Sequence, residues 1–310
     1  LVPRMPEELH FDLVRPEFDF PEKVRAETVK SKRIKVGCVT FMGDLEELEI
    51  NPIDRNNAFY YSITLRRDED LGVASGLADH WQQRSRMALA NLDRSGVHIG
   101  VLPELALTDD LLAWWKQTLP QITPPQESRL QWILVGTGPL TRPGRSDRQP
   151  NRAMLLHRRT GETILEQDKC EGFTLTDEQM DAWSLFALKP GPRAEWMREG
   201  HDRYVLDAWA GRFAILVCED FGRLLGVGEK IARFGPTHLL VPIFAPPIVR
   251  HRWQQQSATQ FVNEVGSVSI IANSAAVPPT PDAVRARKGD RGTAMVLMPQ
   301  GRSPSDTWSV

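Results

Sequence analysis

An unbroken apolar run, Phe213-Ala214-Ile215-Leu216-Val217, leads directly into Cys218-Glu219-Asp220, with Gly211 before it and Gly222 after it. A short apolar stretch bounded by glycines reads as a buried strand of a sheet covered on both faces. Comparable runs lie at 97–103, 132–138, 238–243 and 267–272, and segments with helical periodicity lie between them. Strands of that kind need helices packed over them, so the chain is expected to be α/β with a largely covered sheet. Ligands of open α/β sheets bind beyond the carboxyl ends of the strands, where Cys218 stands. A lone cysteine in such a place is ordinarily a small buried hydrophobe.

The remaining elements follow from periodicity and punctuation. A first strand is expected at Ile34–Met42 and a short strand or edge at Tyr60–Leu65. Leu77, Trp81, Ala88, Leu89 and Leu92 keep a helical period over 76–94. Thr108 is placed to cap a helix over 109–119. A hairpin is expected over 152–168, turning near Gly161 and running into Lys169. Residues 170–200 show no period and read as a loop that covers a site. A strand pair at 204–208 and 213–217 turns at Ala210-Gly211, and a helix over 224–234 is stopped by Gly235-Pro236. A helix over 252–265 and a strand at 294–298 complete the pattern. Residues 5–33, rich in charge, proline and aromatics, read as an irregular lead-in or linker, and 34–310 as one domain. Leu1-Val2-Pro3-Arg4 resembles what a thrombin-cleavable tag leaves behind and is set aside.

Composition narrows the function classes. With 310 residues the chain is long enough to bury a full core without disulfides or metals. A net charge of −2 argues against a general nucleic-acid or membrane surface. No apolar stretch approaches the roughly 18 residues that cross a bilayer. Cys38, Cys170 and Cys218 are far apart and odd in number, as expected of a cytoplasmic protein with no disulfide framework or structural zinc. The basic cluster Arg285, Arg287, Lys288 and Arg291 includes Asp290 and no aromatic, so it reads as a solvated loop.

Chemistry concentrates where polar residues close apolar strands. Glu104 follows one strand, Lys169 follows the hairpin, and Cys218 closes a third element. Taken singly, Glu104 reads equally well as a carboxylate near a helix start, and Lys169 as a solvated charge. Together they form a kit for acyl transfer. A thiol nucleophile is activated by a nearby cation and a base. A carboxylate can move the thiol proton to a leaving amine and later activate water. A fixed ammonium can stabilise an oxyanion, helped by the backbone N–H after the nucleophile, here that of Glu219. Asp220 reads as a cap for the helix that follows.

These landmarks resemble the nitrilase, or carbon–nitrogen hydrolase, superfamily over about residues 34–301. Leu102-Pro103-Glu104 is similar to its glutamate motif, and Asn151 through Lys169 to its lysine hairpin. Gly211 through Asp220 is similar to its nucleophile motif, in the Cys-Glu-Asp form of the glutamine-amidase domains of NAD synthetases. Leu240-Val241-Pro242, Ile271-Ala272-Asn273-Ser274 and Gly292-Thr293-Ala294 with Pro299-Gln300-Gly301 are similar to later landmarks.

The resemblance implies a four-layer-forming α-β-β-α sandwich, Cys218 as nucleophile, Glu104 as base and Lys169 as the oxyanion's cation. It implies a second glutamate after the lysine, for which Glu178 is the nearest match, beside Asp177 and with Glu171 closer to the lysine. It places Phe244 and Ala245 at the acyl pocket. It also implies a small-molecule amide-type substrate, a homo-oligomer, and no metal or organic cofactor. The chain departs from the family in having Phe221-Gly222-Arg223-Leu224 after the nucleophile, a long insert over 43–80, and little sequence after Gly301. Those departures leave a second reading: an assembly or ligand-sensing module of a larger protein. A glutamine-dependent synthetase or a reverse-transcriptase-linked phage-defence protein is an example, with nucleic acid involved only indirectly.

Overall fold

The computed structural model describes residues 9–31, 33–55, 57–66, 80–138, 148–188, 190–286 and 291–299. Leu77, Arg287, Lys288 and Gly301 lie outside the described residues. The chain begins with β1 (His10–Val14), α1 (Glu22–Ser31) and β2 (Val36–Cys38). A hairpin of β3 (Leu48–Arg55) and β4 (Ala58–Leu65) precedes α2 (His80–Arg94), β5 (Ile99–Val101), α3 (Asp109–Thr118) and β6 (Trp132–Thr137). The short β7 (Gln149–Pro150) is followed by the expected hairpin, β8 (Arg152–His157) and β9 (Thr163–Asp168). Next come β10 (Thr174–Leu175), α4 (Asp177–Ala182), β11 (Arg193–Glu195), β12 (Met197–Arg198), β13 (Asp202–Ala208) and β14 (Gly211–Ile215). The final part holds α5 (Glu219–Gly222), α6 (Glu229–Ala232), β15 (His238–Ile243), β16 (Ile248–Val249) and α7 (Trp253–Val265). It continues through β17 (Val268–Asn273), α8 (Pro281–Arg285), β18 (Arg291–Gly292) and β19 (Ala294–Leu297).

Two sheets carry the fold. One has six strands in the order β1-β13-β14-β15-β17-β19, and the other has five in the order β2-β5-β6-β8-β9. Strand alternation divides the core between them. In β6, Trp132 and Leu134 enter a cluster shared with Phe213, Ile215 and Leu240 of the six-stranded sheet. Ile133 and Val135 point the other way, onto Leu89, Leu92, Leu111 and Trp115 of α2 and α3. Ala258 and Phe261 of α7 cover the six-stranded sheet. Helices therefore lie outside two facing sheets, the α-β-β-α arrangement expected from the sequence.

Residues 170–200 are not a bare loop. They supply β10 and β11, which join the β3–β4 hairpin in a four-stranded sheet ordered β10-β11-β4-β3. Residues 5–33 are likewise not wholly irregular. β1 pairs in parallel with β13, so its backbone finds hydrogen-bond partners only in the folded chain. Phe20 is buried edge-on to Trp132, with ring centroids 4.7 Å apart, and the indole of Trp132 donates to the Phe18 carbonyl at 3.0 Å. The helix expected over 224–234 forms as a wide π turn over Leu224–Gly228 that leads into α6. Thr108 does cap α3, its hydroxyl accepting the Leu111 N–H at 3.3 Å.

One glycine of β6 determines how closely the segment after β5 can approach. A Cβ on Gly136 would lie 2.3 Å from the Pro103 carbonyl oxygen and 2.6 Å from Glu104 Cα. Gly136→Ala should therefore push the backbone of Glu104 away and lose roughly 1–3 kcal/mol of stability, read from the midpoint of urea unfolding. Phe20→Ala should lose about 3–5 kcal/mol in the same measurement, because the pocket against Trp132 would be left empty.

Candidate active site

Glu104 leaves the end of β5 and is buried beneath the turn that Leu105 makes at φ 63°. Both of its oxygens are occupied. Oε1 accepts from Lys169 Nζ at 2.8 Å and from Asn151 Nδ2 at 2.8 Å, and Oε2 accepts the Phe244 N–H at 2.9 Å. The Cys218 thiol is buried close enough to this carboxylate for each to influence the other's titration.

Lys169 follows β9, its N–H donating to the Asn151 carbonyl at 2.7 Å and its carbonyl accepting from Gly200 N–H at 2.8 Å. Its ammonium lies between two carboxylates, that of Glu104 and that of Glu195, the latter at 2.7 Å. Glu195 Oε1 accepts from Asn151 Nδ2 at 2.8 Å, and Oε2 accepts the Phe173 N–H at 3.1 Å. One asparagine amide thus bridges both carboxylates from one side while one ammonium bridges them from the other. Tyr61, paired in register with Glu195 across β4 and β11, is buried on the same side and feels the charges of Glu195, Lys169 and Glu104.

Cys218 sits between β14 and α5 at φ 47° and ψ −101°. A left-handed backbone at a non-glycine residue is strained, and such strain tends to collect at functional turns. The Cys218 N–H donates to the Pro242 carbonyl at 3.0 Å, and its carbonyl accepts from Phe221 N–H at 3.0 Å. Its thiol faces the Phe244 carbonyl at 3.9 Å.

Burial raises the thiol pKa well above its usual range; Glu104 adds to the rise and Lys169 opposes it. The resting group is therefore a thiol. Burial alone would lower the lysine pKa, but the carboxylates of Glu104 and Glu195 outweigh it and hold the ammonium charged. Burial raises the Glu104 carboxyl pKa, against the pull of Lys169. A protonated thiol beside a carboxylate of raised basicity, with a fixed cation on that carboxylate, is an arrangement suited to proton transfer.

The other expected site residues fall in different places. Phe244 belongs to the cluster through its backbone, and its ring lies edge-on to Trp183 with centroids 6.2 Å apart. Ala245 is held beside it by Asn273, which accepts its N–H at 3.1 Å and donates to its carbonyl at 2.9 Å. Glu219 follows Cys218 in α5, and its side chain turns to Arg223 at 2.7 Å. Glu178 is on the exposed first turn of α4 and is not brought to Lys169; the carboxylate found there is Glu195. Glu171 is buried against Arg223 at 3.0 Å, and burial pushes its pKa up to about 7. Asp220 does not cap the helix. Cys218 is the N-cap position and the helix begins at Glu219, so the aspartate falls inside the first turn and reaches back to the amides after Lys169.

Glu195, Asn151 and Tyr61 are the additions to the site. Asn151 opens the lysine hairpin and was visible as part of that motif. Glu195 and Tyr61 had no such signal, because the pairing of β4 with β11, distant in sequence, is what brings Glu195 to Lys169 and Tyr61 beside it. Among the described residues, no group of His, Cys, Asp and Glu is placed to hold a metal ion, and no helix is long and apolar enough to cross a membrane.

No protein-family model matches the chain, and no curated protein does. Among solved structures, it is similar to the glutamine-dependent NAD+ synthetase of Acinetobacter baumannii, at 13% identity and a TM-score of 0.47, over 78% of this chain and 38% of that one. The chain thus spans well under half of that enzyme's length. It is similar to an amidase from Nesterenkonia sp. AN1, at 14% identity and a TM-score of 0.49, over 71% of this chain and 79% of that one. It is also similar to Nit3 of Saccharomyces cerevisiae, described as a member of branch 10 of the nitrilase superfamily. That match has 14% identity and a TM-score of 0.46, over 87% of this chain and 83% of that one.

Proposed function

We propose that the chain is a thiol-dependent hydrolase of a non-peptide C–N bond, amidase-like, working through an acyl-Cys218 intermediate. The observation that carries this reading is the burial of the Cys218 thiol beside a hydrogen-bonded carboxylate and ammonium. A buried ion pair alone is weak evidence for stability, so a cluster of this kind calls for a chemical reason.

In the proposed reaction Glu104 takes the Cys218 proton as sulfur attacks the carbonyl carbon. The oxyanion is met by Lys169 and by the N–H of Glu219. An ammonium has three donors, and two of those on Lys169 are engaged by Glu104 and Glu195, which leaves one for the substrate oxygen. Collapse breaks the C–N bond, and protonated Glu104 gives its proton to the leaving ammonia or amine. Water, losing a proton to Glu104, then attacks the thioester. The acid departs and the thiol is restored. Glu195 keeps Lys169 charged and fixed throughout. We further read the protein as a cytoplasmic homo-oligomer acting on a small amide-type molecule.

Incubation with a panel of small amides should give an acyl adduct on Cys218, seen by intact mass, and release of ammonia or amine. Cys218→Ala should reduce turnover to background, a loss on the order of 10⁶-fold. Turnover by that variant at the wild-type rate would sink the proposal. Glu195→Gln should lower kcat by about 10²-fold, since the lysine loses one of its two anchoring charges. An unchanged kcat would remove Glu195 from the mechanism.

A further inference from the structure

We infer that Asp220, held by Arg203, is a positioning residue that sets the placement of Lys169 relative to Cys218. This rests on the reading of Cys218 and Lys169 given above. Asp220 lies two positions after the nucleophile and its carboxylate is almost wholly buried. Oδ1 accepts the Cys170 N–H at 3.0 Å and the Glu171 N–H at 2.9 Å. Oδ2 accepts the same Cys170 N–H at 3.1 Å and Arg203 Nη2 at 3.3 Å. Both oxygens act as acceptors, which only the ionised carboxylate can do in full.

The chain that these bonds grip begins directly after Lys169. Arg203, in β13, completes the clamp from the other side: its Nη1 donates to the Asp168 carbonyl at 2.6 Å and to the Asp202 carbonyl at 3.0 Å. The residue before the lysine and the two after it are therefore tied to one buried pair, and that pair is tied through α5 to Cys218. Charge-assisted bonds to backbone groups of this kind are strong and directional. They act on the lysine's backbone, whereas Glu104 and Glu195 hold only the far end of its side chain.

The molecule supplies its own control. Arg158 and Asp93 form a second buried Arg–Asp pair, at 2.7 Å, linking the end of α2 to the β8–β9 turn. Its other partners are the Leu119 and Ile122 carbonyls and the Ser128 hydroxyl, none of which belongs to the cluster around Cys218. Asp93→Asn and Asp220→Asn each leave a buried arginine facing an amide, so each should lower Tm. Only Asp220→Asn should act on the chemistry.

The experiment compares these two variants with wild type in amide turnover and in alkylation of Cys218 by iodoacetamide across pH, the adduct located by peptide mass. Asp220→Asn should lower kcat by about 10²-fold with KM unchanged, the size expected when a reacting group is misplaced by about an ångström. Its alkylation midpoint should move to higher pH. The titratable and charged groups facing the thiol include Glu104, Lys169, Glu219 and Tyr61, and of these only Lys169 favours the thiolate. Asp93→Asn should leave both readouts at wild-type values. If Asp220→Asn does not fold, Arg203→Lys, which keeps the charge but not the fork, should show the same two changes in smaller measure. Wild-type kcat and an unshifted alkylation profile in the folded variant would overturn the inference, as would equal effects from Asp93→Asn. The alkylation arm needs no turnover, so it gives its answer even if no amide proves to be a substrate.

Discussion

The ammonium of Lys169 between the carboxylates of Glu104 and Glu195 is the interaction on which the rest of the site depends. A buried lysine with no anion beside it would lose its proton, and one facing a single carboxylate would be free to rotate about it. Two carboxylates from different sheets give it both charge and direction, and Asn151 locks those carboxylates to each other. The desolvation of three charged groups is costly, and the close hydrogen bonds among them offset it. That balance explains why each carboxylate also accepts a backbone N–H, from Phe244 in one case and Phe173 in the other.

The backbone is arranged to deliver these groups. Glu104 arrives on a turn that fits only because Gly136 has no side chain. Cys218 is presented on a strained left-handed residue whose N–H and carbonyl are both held. The strain is maintained by the six-stranded sheet beneath, where Phe213, Ile215 and Leu240 are wholly enclosed. Rigid strands set the positions, and short irregular turns at their ends carry the thiol, the carboxylate and the ammonium.

The sequence exposes most strands of the main sheets, the cap at Thr108 and the residues Glu104, Lys169 and Cys218, because each is marked by its local pattern or a change of polarity, whereas the pairing of two sheets was implied only by the family resemblance. The structure brings those three residues together. Glu195 was not legible. It follows Arg193-Ala194 in a stretch with no period, and its strand exists only because β4 offers an edge to pair with. Glu178 looked better placed along the chain, but a capping box at Thr176 and Gln179 turns its segment into a surface helix. β1 escaped notice for the same reason as β11: both are short strands whose hydrogen bonds close over long sequence separations. Distance along the chain is a poor guide to which carboxylate meets a lysine.

The origin of Glu195 has a thermodynamic corollary. The small sheet of β10, β11, β4 and β3 is a separate sheet from the two that form the central sandwich. Regions of a native protein open with different free energies, but Leu48, Tyr61, Ile63 and Leu65 of this sheet are buried in the same cluster as Ile133 and Val135 of β6. Opening of this one would withdraw Glu195, leaving Lys169 with a single anion, and would also uncover part of the main core. The geometry around Lys169 is therefore coupled to the stability of that shared core cluster.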